Sequence, residues 1–303
     1  MISSRISRVY QRANQMSGNR LNIIRDAVQT FIITRANQAA ASLAYYVIFS
    51  LFPLLLVLIS AGSFFLNSNQ VYLRVSKLID QSIPDSAQWI DQNLNQILQQ
   101  RGTVGIIGLI TLIWAASGGF ISLAYNINLA WLEAPQRNFF QGRLIGFEMI
   151  AGISGLFFLS LIFDWMLNLL RLFHIPIATS LGMNFWSWFW SFLAWLTIFV
   201  LFFALYYWVH TVRVKGSAAF WGALTASAAW DLSTSLFSLY LRSGFNRYEI
   251  VYGSIGTLVA FLFLIYILAT VTLFGAHFTA AIDRKLKLDQ ATSSTALTED
   301  IKG

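Results

Sequence analysis

The stretch VGIIGLITLIWAASGGFISLAYNINL, from Val104 to Leu129, decides the fold class. It contains no acidic or basic side chain, and as a helix it would be about 39 Å long, more than the roughly 30 Å hydrocarbon core of a bilayer. Five further stretches share its character: Ala40 to Leu66, Leu144 to Leu170, Phe185 to Val209, Ala218 to Leu241 and Tyr252 to Ile282. None shows the strict alternation of a barrel strand, and all exceed the ~10 residues such a strand needs. Composition agrees, with 57% hydrophobic, 16% aromatic and 11% charged residues, where a soluble domain carries about 25% charged. The expectation is an all-α membrane protein with six transmembrane helices.

The surplus of seven positive charges invites a nucleic-acid reading, and its distribution argues against one. Counted by alternate sides of the six spans, fourteen Lys and Arg residues fall on the side of both termini and six on the other. The positive-inside rule then places both termini in the cytoplasm. No nucleic-acid partner is needed to explain the charge; the expected partners are membrane lipids, including anionic headgroups, and a homo-oligomer is left open. The absence of cysteine rules out disulfides and thiolate metal sites. His174, His210 and His277 are too scattered to predict a metal site, and no cofactor is expected. Residues 1–20 are polar and basic, unlike a cleavable signal peptide.

Three segments follow. Residues 1–38 form a cytoplasmic basic segment in which Leu21, Ile24, Val28, Phe31 and Ile32 recur at helical spacing, predicting an interfacial amphipathic helix. Residues 39–282 form the membrane domain. Its longest outer loop, 67–103, carries the apolar stripes Val71, Val75, Leu78, Ile79 and Ile90, Leu94, Ile97, Leu98, which predict two short outer amphipathic helices. Residues 283–303 are polar and are expected to be a disordered cytoplasmic tail. Aromatic residues from Phe185 to Phe192 read as an interfacial belt rather than a stacking site.

Polar groups inside spans are costly and mark candidate functional positions. Asp231 stands near mid-span among small and hydroxyl residues that include Ser227. Ser50 and Pro53 interrupt the first span, and Pro53 frees a backbone carbonyl. Ser117, Gly118 and Gly119 mark a pliable or close-packed point in the second. The expectation is that Asp231, Ser50, Ser117 and Gly118-Gly119 meet in one polar layer along a transport path; the alternative is a packing layer with a hydrogen-bonded Asp231. Outside the membrane, Arg242 and Arg247, with Tyr252 and Gly253, are candidates for binding an anion or headgroup, unless Glu249 simply pairs with one arginine.

The block Ala41-Ser42-Leu43-Ala44-Tyr45-Tyr46 with Ser50-Leu51-Phe52-Pro53, then Trp114-Ala115-Ala116-Ser117-Gly118, Tyr252-Gly253 and Phe274-Gly275-Ala276, resembles the signature of the BrkB/YihY family of bacterial inner-membrane proteins. The chain departs from that pattern at His277, where the family usually carries an acid. The resemblance implies a six-span inner-membrane protein, links to serum resistance and lipid export, and a former label as a ribonuclease. The residues argue against a nuclease, because clustered metal ligands and a hydrolase or zincin motif are missing. A transporter or translocator of lipid or anionic solute, not an enzyme, is the leading expectation; a non-catalytic envelope scaffold is the alternative.

Overall fold

The computed structural model describes residues 20–65, 101–172, 183–242 and 254–300. They form seven helices: α1 Arg20–Ile33, α2 Ala36–Phe65, α3 Arg101–Asn128, α4 Phe139–Leu172, α5 Met183–Trp208, α6 Gly216–Arg242 and α7 Ser254–Asp300. No strand occurs among the described residues, as the absence of alternation requires. Three helices are long and apolar enough to cross a membrane, over Ala36–Val57, Gly102–Asn128 and Leu258–Ala291, and α5 contributes a shorter apolar run, Phe192–Trp208. The two amphipathic helices expected within 67–103 lie outside the described residues, as do most side chains of the aromatic belt.

Helix α7 is the hub. It packs along α6, α2 and α1 and touches α3 and α5, while α2 pairs with α3, α5 with α6, and α4 with α3. Small residues set the closest of these approaches. A Cβ added at Gly275 of α7 would stand 2.8 Å from the Ala226 Cβ of α6, and one added at Gly222 would stand 2.9 Å from the Thr279 Cβ. Without a hydrophobic force between helices in lipid, such close backbone packing is what holds them together. Tyr206 of α5 clamps the same region by donating its hydroxyl to the Thr272 carbonyl at 2.7 Å.

Helix α1 forms where the basic amphipathic pattern predicted it, but a different face is covered. Ala27 and Thr30 are buried, whereas Ile24, Val28 and Ile32 of the predicted stripe are exposed. The small face docks on α7 together with Phe31 of the stripe, which packs on Phe274 and His277, and Ile24, Val28 and Ile32 are turned outward, which suits contact with lipid. Arg35, at φ 55°, closes α1 in the left-handed conformation that usually ends a helix at glycine.

One expectation is overturned. Residues from Asp283 were expected to be a disordered tail, yet α7 continues through them to Asp300. The reason is local anchoring: Asp283 is fully buried, and Arg284 is bonded to both Asp26 and the Ala130 carbonyl. A polar composition alone does not reveal such tethers.

Candidate functional site

The connections α3–α4 and α5–α6, the start of α1 and the polar part of α7 meet at one end of the bundle, where the basic residues concentrate. A buried polar frame ties them together. Asp283 accepts hydrogen bonds from Trp131 Nε1 at 3.3 Å and the Lys215 amide at 3.0 Å, and it pairs with Lys287 at 2.7 Å. Asn128 donates to the Pro135 carbonyl at 3.1 Å and accepts from the Thr211 amide and hydroxyl at 3.0 and 2.9 Å. These bonds lock the two connections to each other. Within this frame His210 packs against Trp131, with ring centroids 4.6 Å apart, and neither ring nitrogen has a partner among the described residues. Burial pushes its pKa down to about 4, Asp283 opposing and Arg137 and Lys287 reinforcing the shift.

Three cavities lie in the bundle, the first of them at this end. The first, about 370 Å³, is lined by Arg137 and Arg143 together with Tyr46, Gly118 and the start of α4. Arg143 donates to Ser117 Oγ at 2.7 Å and lies 4.0 Å over the Trp114 ring. Arg137 donates to the Val209 carbonyl; burial lowers its pKa from the ordinary arginine value, with Glu148 opposing. The second cavity, about 330 Å³, is an apolar cleft between α4 and α5. The third, about 440 Å³, lies among α2, α3, α6 and α7 and includes Ser50, Gly119, Trp230 and Thr272. Their walls are shared: Ile145 belongs to the first and second, Tyr46 to the first and third, and Phe120, Leu123, Trp230 and Thr272 to the second and third.

The predicted polar layer does not assemble as expected. Ser50 and Gly119 share the third cavity, but Trp230 reaches it in place of Asp231, which is exposed on the outer face of α6. Successive helical residues differ by 100°, so a helix that turns residue 230 inward turns 231 aside. Ser117 is fully buried and held by Arg143, away from that cavity. Gly118 and Gly119 receive the Tyr46 side chain, an added Cβ falling 3.2 Å from its ring at Gly118 and 3.3 Å from its Cβ at Gly119. Pro53 is buried within α2, and Ser227 is buried on the face that α6 turns to α7. Of the outer candidates, the Arg242 side chain and all of Arg247, Tyr252 and Gly253 lie outside the described residues.

Sequence reasoning used Arg137 and Arg143 only to count charge and missed Asn128, Trp131 and Asp283. A signal for the arginines was available, since both flank the Pro135 connection at the start of α4. Asn128 and Asp283 carry no comparable mark, because each acts through contacts distant in sequence. His277, also buried, has Nδ1 at 2.8 Å from the Leu273 carbonyl and Nε2 at 2.9 Å from the Thr34 hydroxyl. The Nδ1–H tautomer fits both contacts, donating to the carbonyl and accepting from Thr34, so this histidine fastens α1 to α7. Among the described residues no group of three His, Asp or Glu side chains is arranged to hold a metal ion.

Residues 27–298 match the family described as virulence factor BrkB. A ribonuclease-like protein named YfkH from Bacillus subtilis is 25% identical over 275 residues, covering 88% of this chain and 98% of that protein. A UPF0761 membrane protein of Photobacterium profundum is 24% identical over 285 residues, with 88% and 82% covered. A UPF0761 membrane protein of Chlorobium phaeobacteroides is 27% identical, and this chain spans 55% of its length. No solved structure matches the chain.

Proposed function

We propose that this chain, a membrane protein that belongs to the BrkB family, is a translocator for an anionic lipid or solute in a bacterial inner membrane. In this reading α2 to α7 cross the bilayer, giving six spans, and the charge count sets both termini at the cytoplasmic face. No bond-making chemistry is assigned to it. The observation that carries the reading is the set of three adjoining cavities with shared wall residues, the first of which carries two arginines. A scaffold has no use for adjoining space of this kind, while a path for a charged or amphipathic molecule needs it.

The test is flux in proteoliposomes, with a fluorescent anionic lipid and a fluorescent anionic solute as probes. Ser50→Trp fills the third cavity from α2; the Ser50 hydroxyl bonds only to the Val47 carbonyl of its own helix, so no bond between helices is lost. Flux of at least one probe should fall tenfold or more in Ser50→Trp and persist in Asp231→Asn. Undiminished flux in Ser50→Trp removes the cavity path. No flux of either probe with correctly folded protein favours a non-catalytic envelope scaffold instead.

A further inference from the structure

Two guanidinium groups face the first cavity with no carboxylate at ion-pair distance among the described residues, Glu148 acting on Arg137 only from farther off. Arg137 sits in the α3–α4 connection and gives one N–H to the Val209 carbonyl. Arg143, on the first turns of α4, gives one to Ser117 Oγ. At this end Arg284 pairs with Asp26 and Lys287 with Asp283, so neither carboxylate is directed at Arg137 or Arg143. Each guanidinium has five N–H donors, so both retain donors for a ligand. Arg143 is also held over Trp114, 4.0 Å from its ring centroid, which restricts its direction at little further cost in conformational entropy. Asn138 and Gly142 bring the start of α4 to the same cavity, and its free amide N–H groups add positive potential. Fixed, partly desolvated guanidinium groups of this kind recognise phosphate or carboxylate in bidentate fashion.

The neighbouring cleft narrows the class of anion. Ile145 forms a wall of both the arginine cavity and the α4–α5 cleft, whose other walls include Met149, Ile153, Leu201 and Leu205. Among the residues lining the cleft Glu148 is the only charged one. A molecule that fills both spaces must therefore be anionic at one end and hydrocarbon beyond it. A small soluble anion would leave the cleft unused, and a zwitterionic lipid would bring its cation against the arginines.

We infer that the Arg137–Arg143 cavity binds the phosphate head of an anionic lipid, with an acyl chain lying in the α4–α5 cleft. The lipid chemistry deepens the translocation reading and rests on it for its purpose, making this the site where substrate is loaded from the basic face. The geometry itself is independent of whether transport follows.

The experiment uses the full chain in detergent micelles, with lipid retention read by native mass spectrometry. The probes are phosphatidylglycerol, phosphatidylcholine and glycerol phosphate. Phosphatidylglycerol should be retained at least tenfold better than either of the others. Arg137→Gln with Arg143→Gln should abolish that preference, and the paired lysine variants should keep most of it. Because Arg143 also braces Ser117, Gln136→Glu serves as a second variant: this exposed residue lines the cavity, and an added carboxylate there should weaken retention tenfold without disturbing the arginines' packing. Equal retention of the two lipids, or of parent and Gln136→Glu, overturns the site, as does glycerol phosphate binding as tightly as the lipid. The two readings separate cleanly. Selective binding without flux sustains the site and removes translocation; flux without selective binding removes the site and leaves translocation standing.

Discussion

Replacing Gly275 by alanine tests the contact on which the bundle turns. The new methyl would run into the Tyr206 hydroxyl and lie 2.8 Å from the Ala226 Cβ and 2.9 Å from Tyr206 Cζ, against about 3.5–4.0 Å for a relaxed carbon contact. Neither neighbour is the far end of a flexible chain, so α6 and α7 must separate or the Tyr206 ring must move. Overpacking of this kind costs about 1–3 kcal/mol. A displaced Tyr206 also loses its bond to the Thr272 carbonyl, worth about 0.6–1.5 kcal/mol inside a membrane bundle. Against this, alanine is the better helix former by about 1 kcal/mol. The clash wins, and the net effect is destabilisation of about 2 kcal/mol, within a range of about 0.5–3.5 from those same contributions. Reversible unfolding by sodium dodecyl sulfate in mixed micelles, followed by circular dichroism, measures it. Adding Ala226→Gly to the same chain removes the contact with α6 and should recover part of the loss. Tyr206→Phe removes the hydroxyl nearest the new methyl and should likewise recover part of the clash, while giving up the bond to the Thr272 carbonyl. A Gly275→Ala protein as stable as its parent would refute the close approach of α6 and α7.

Three further outcomes follow from the basic end and the outer surface. His210 is neutral in the fold, its pKa lowered to about 4 from an ordinary 6.5, so the unfolded chain takes up the proton first. Its contribution is intact above pH 6.5 and is lost as pH falls towards 4, by at most about 1.4 kcal/mol per unit; in His210→Phe the stability curve should flatten over that window, and an unchanged slope counts against the burial. Asp283→Ala strands Trp131 Nε1, the Lys215 amide and Lys287 in one step and should cost about 3–5 kcal/mol. Arg284→Gln, at a partly exposed ion pair, should cost about 1 kcal/mol or less; equal losses in the two would mean that the buried frame is not what fastens this end. Asp231→Leu removes a carboxylate from the outer face of a span, which on insertion scales favours the membrane by about 3 kcal/mol. Glycosylation-mapped insertion of α6 should improve while flux is unchanged, and lost flux would return Asp231 to the transport path.

Much of the architecture was legible because hydrophobic length and helical periodicity are properties of segments. The apolar runs became helices, α1 formed where its periodicity placed it, and the glycines at 118 and 119, read as a pliable or close-packed point, stand against Tyr46. What the sequence concealed depends on rotation and on distant partners. Asp231 and Trp230 are equally mid-span, and only the direction α6 presents to α7, set by Gly222, Ala223 and Ala226, decides which of them faces the third cavity. The stripe of α1 misled for a related reason. In water, burial goes to the largest apolar side chains, whereas beside a bilayer those can face lipid while Ala27 and Thr30 pack. Asp283 reads as the first residue of a polar tail until Trp131 and Lys215, far away in sequence, are brought against it.

The contrast between tight and loose contacts in this bundle carries the functional argument one step further. Helices α6 and α7 meet through glycine, alanine and serine, close enough that a single methyl intrudes. Helices α4 and α5 face each other across large aliphatic and aromatic side chains, with a cleft between them. In water such a cleft would be driven shut or filled by a side chain, because exposed apolar surface is penalised at about 25 cal/mol per Å². In a bilayer that force is missing, since lipid tails are as apolar as the walls. An apolar cleft that reaches an arginine-lined cavity is there a surface open to hydrocarbon, with a fixed positive end. The chain thus invests its small residues where helices must not part, and keeps its bulky ones where a lipid can replace a helix contact at little cost.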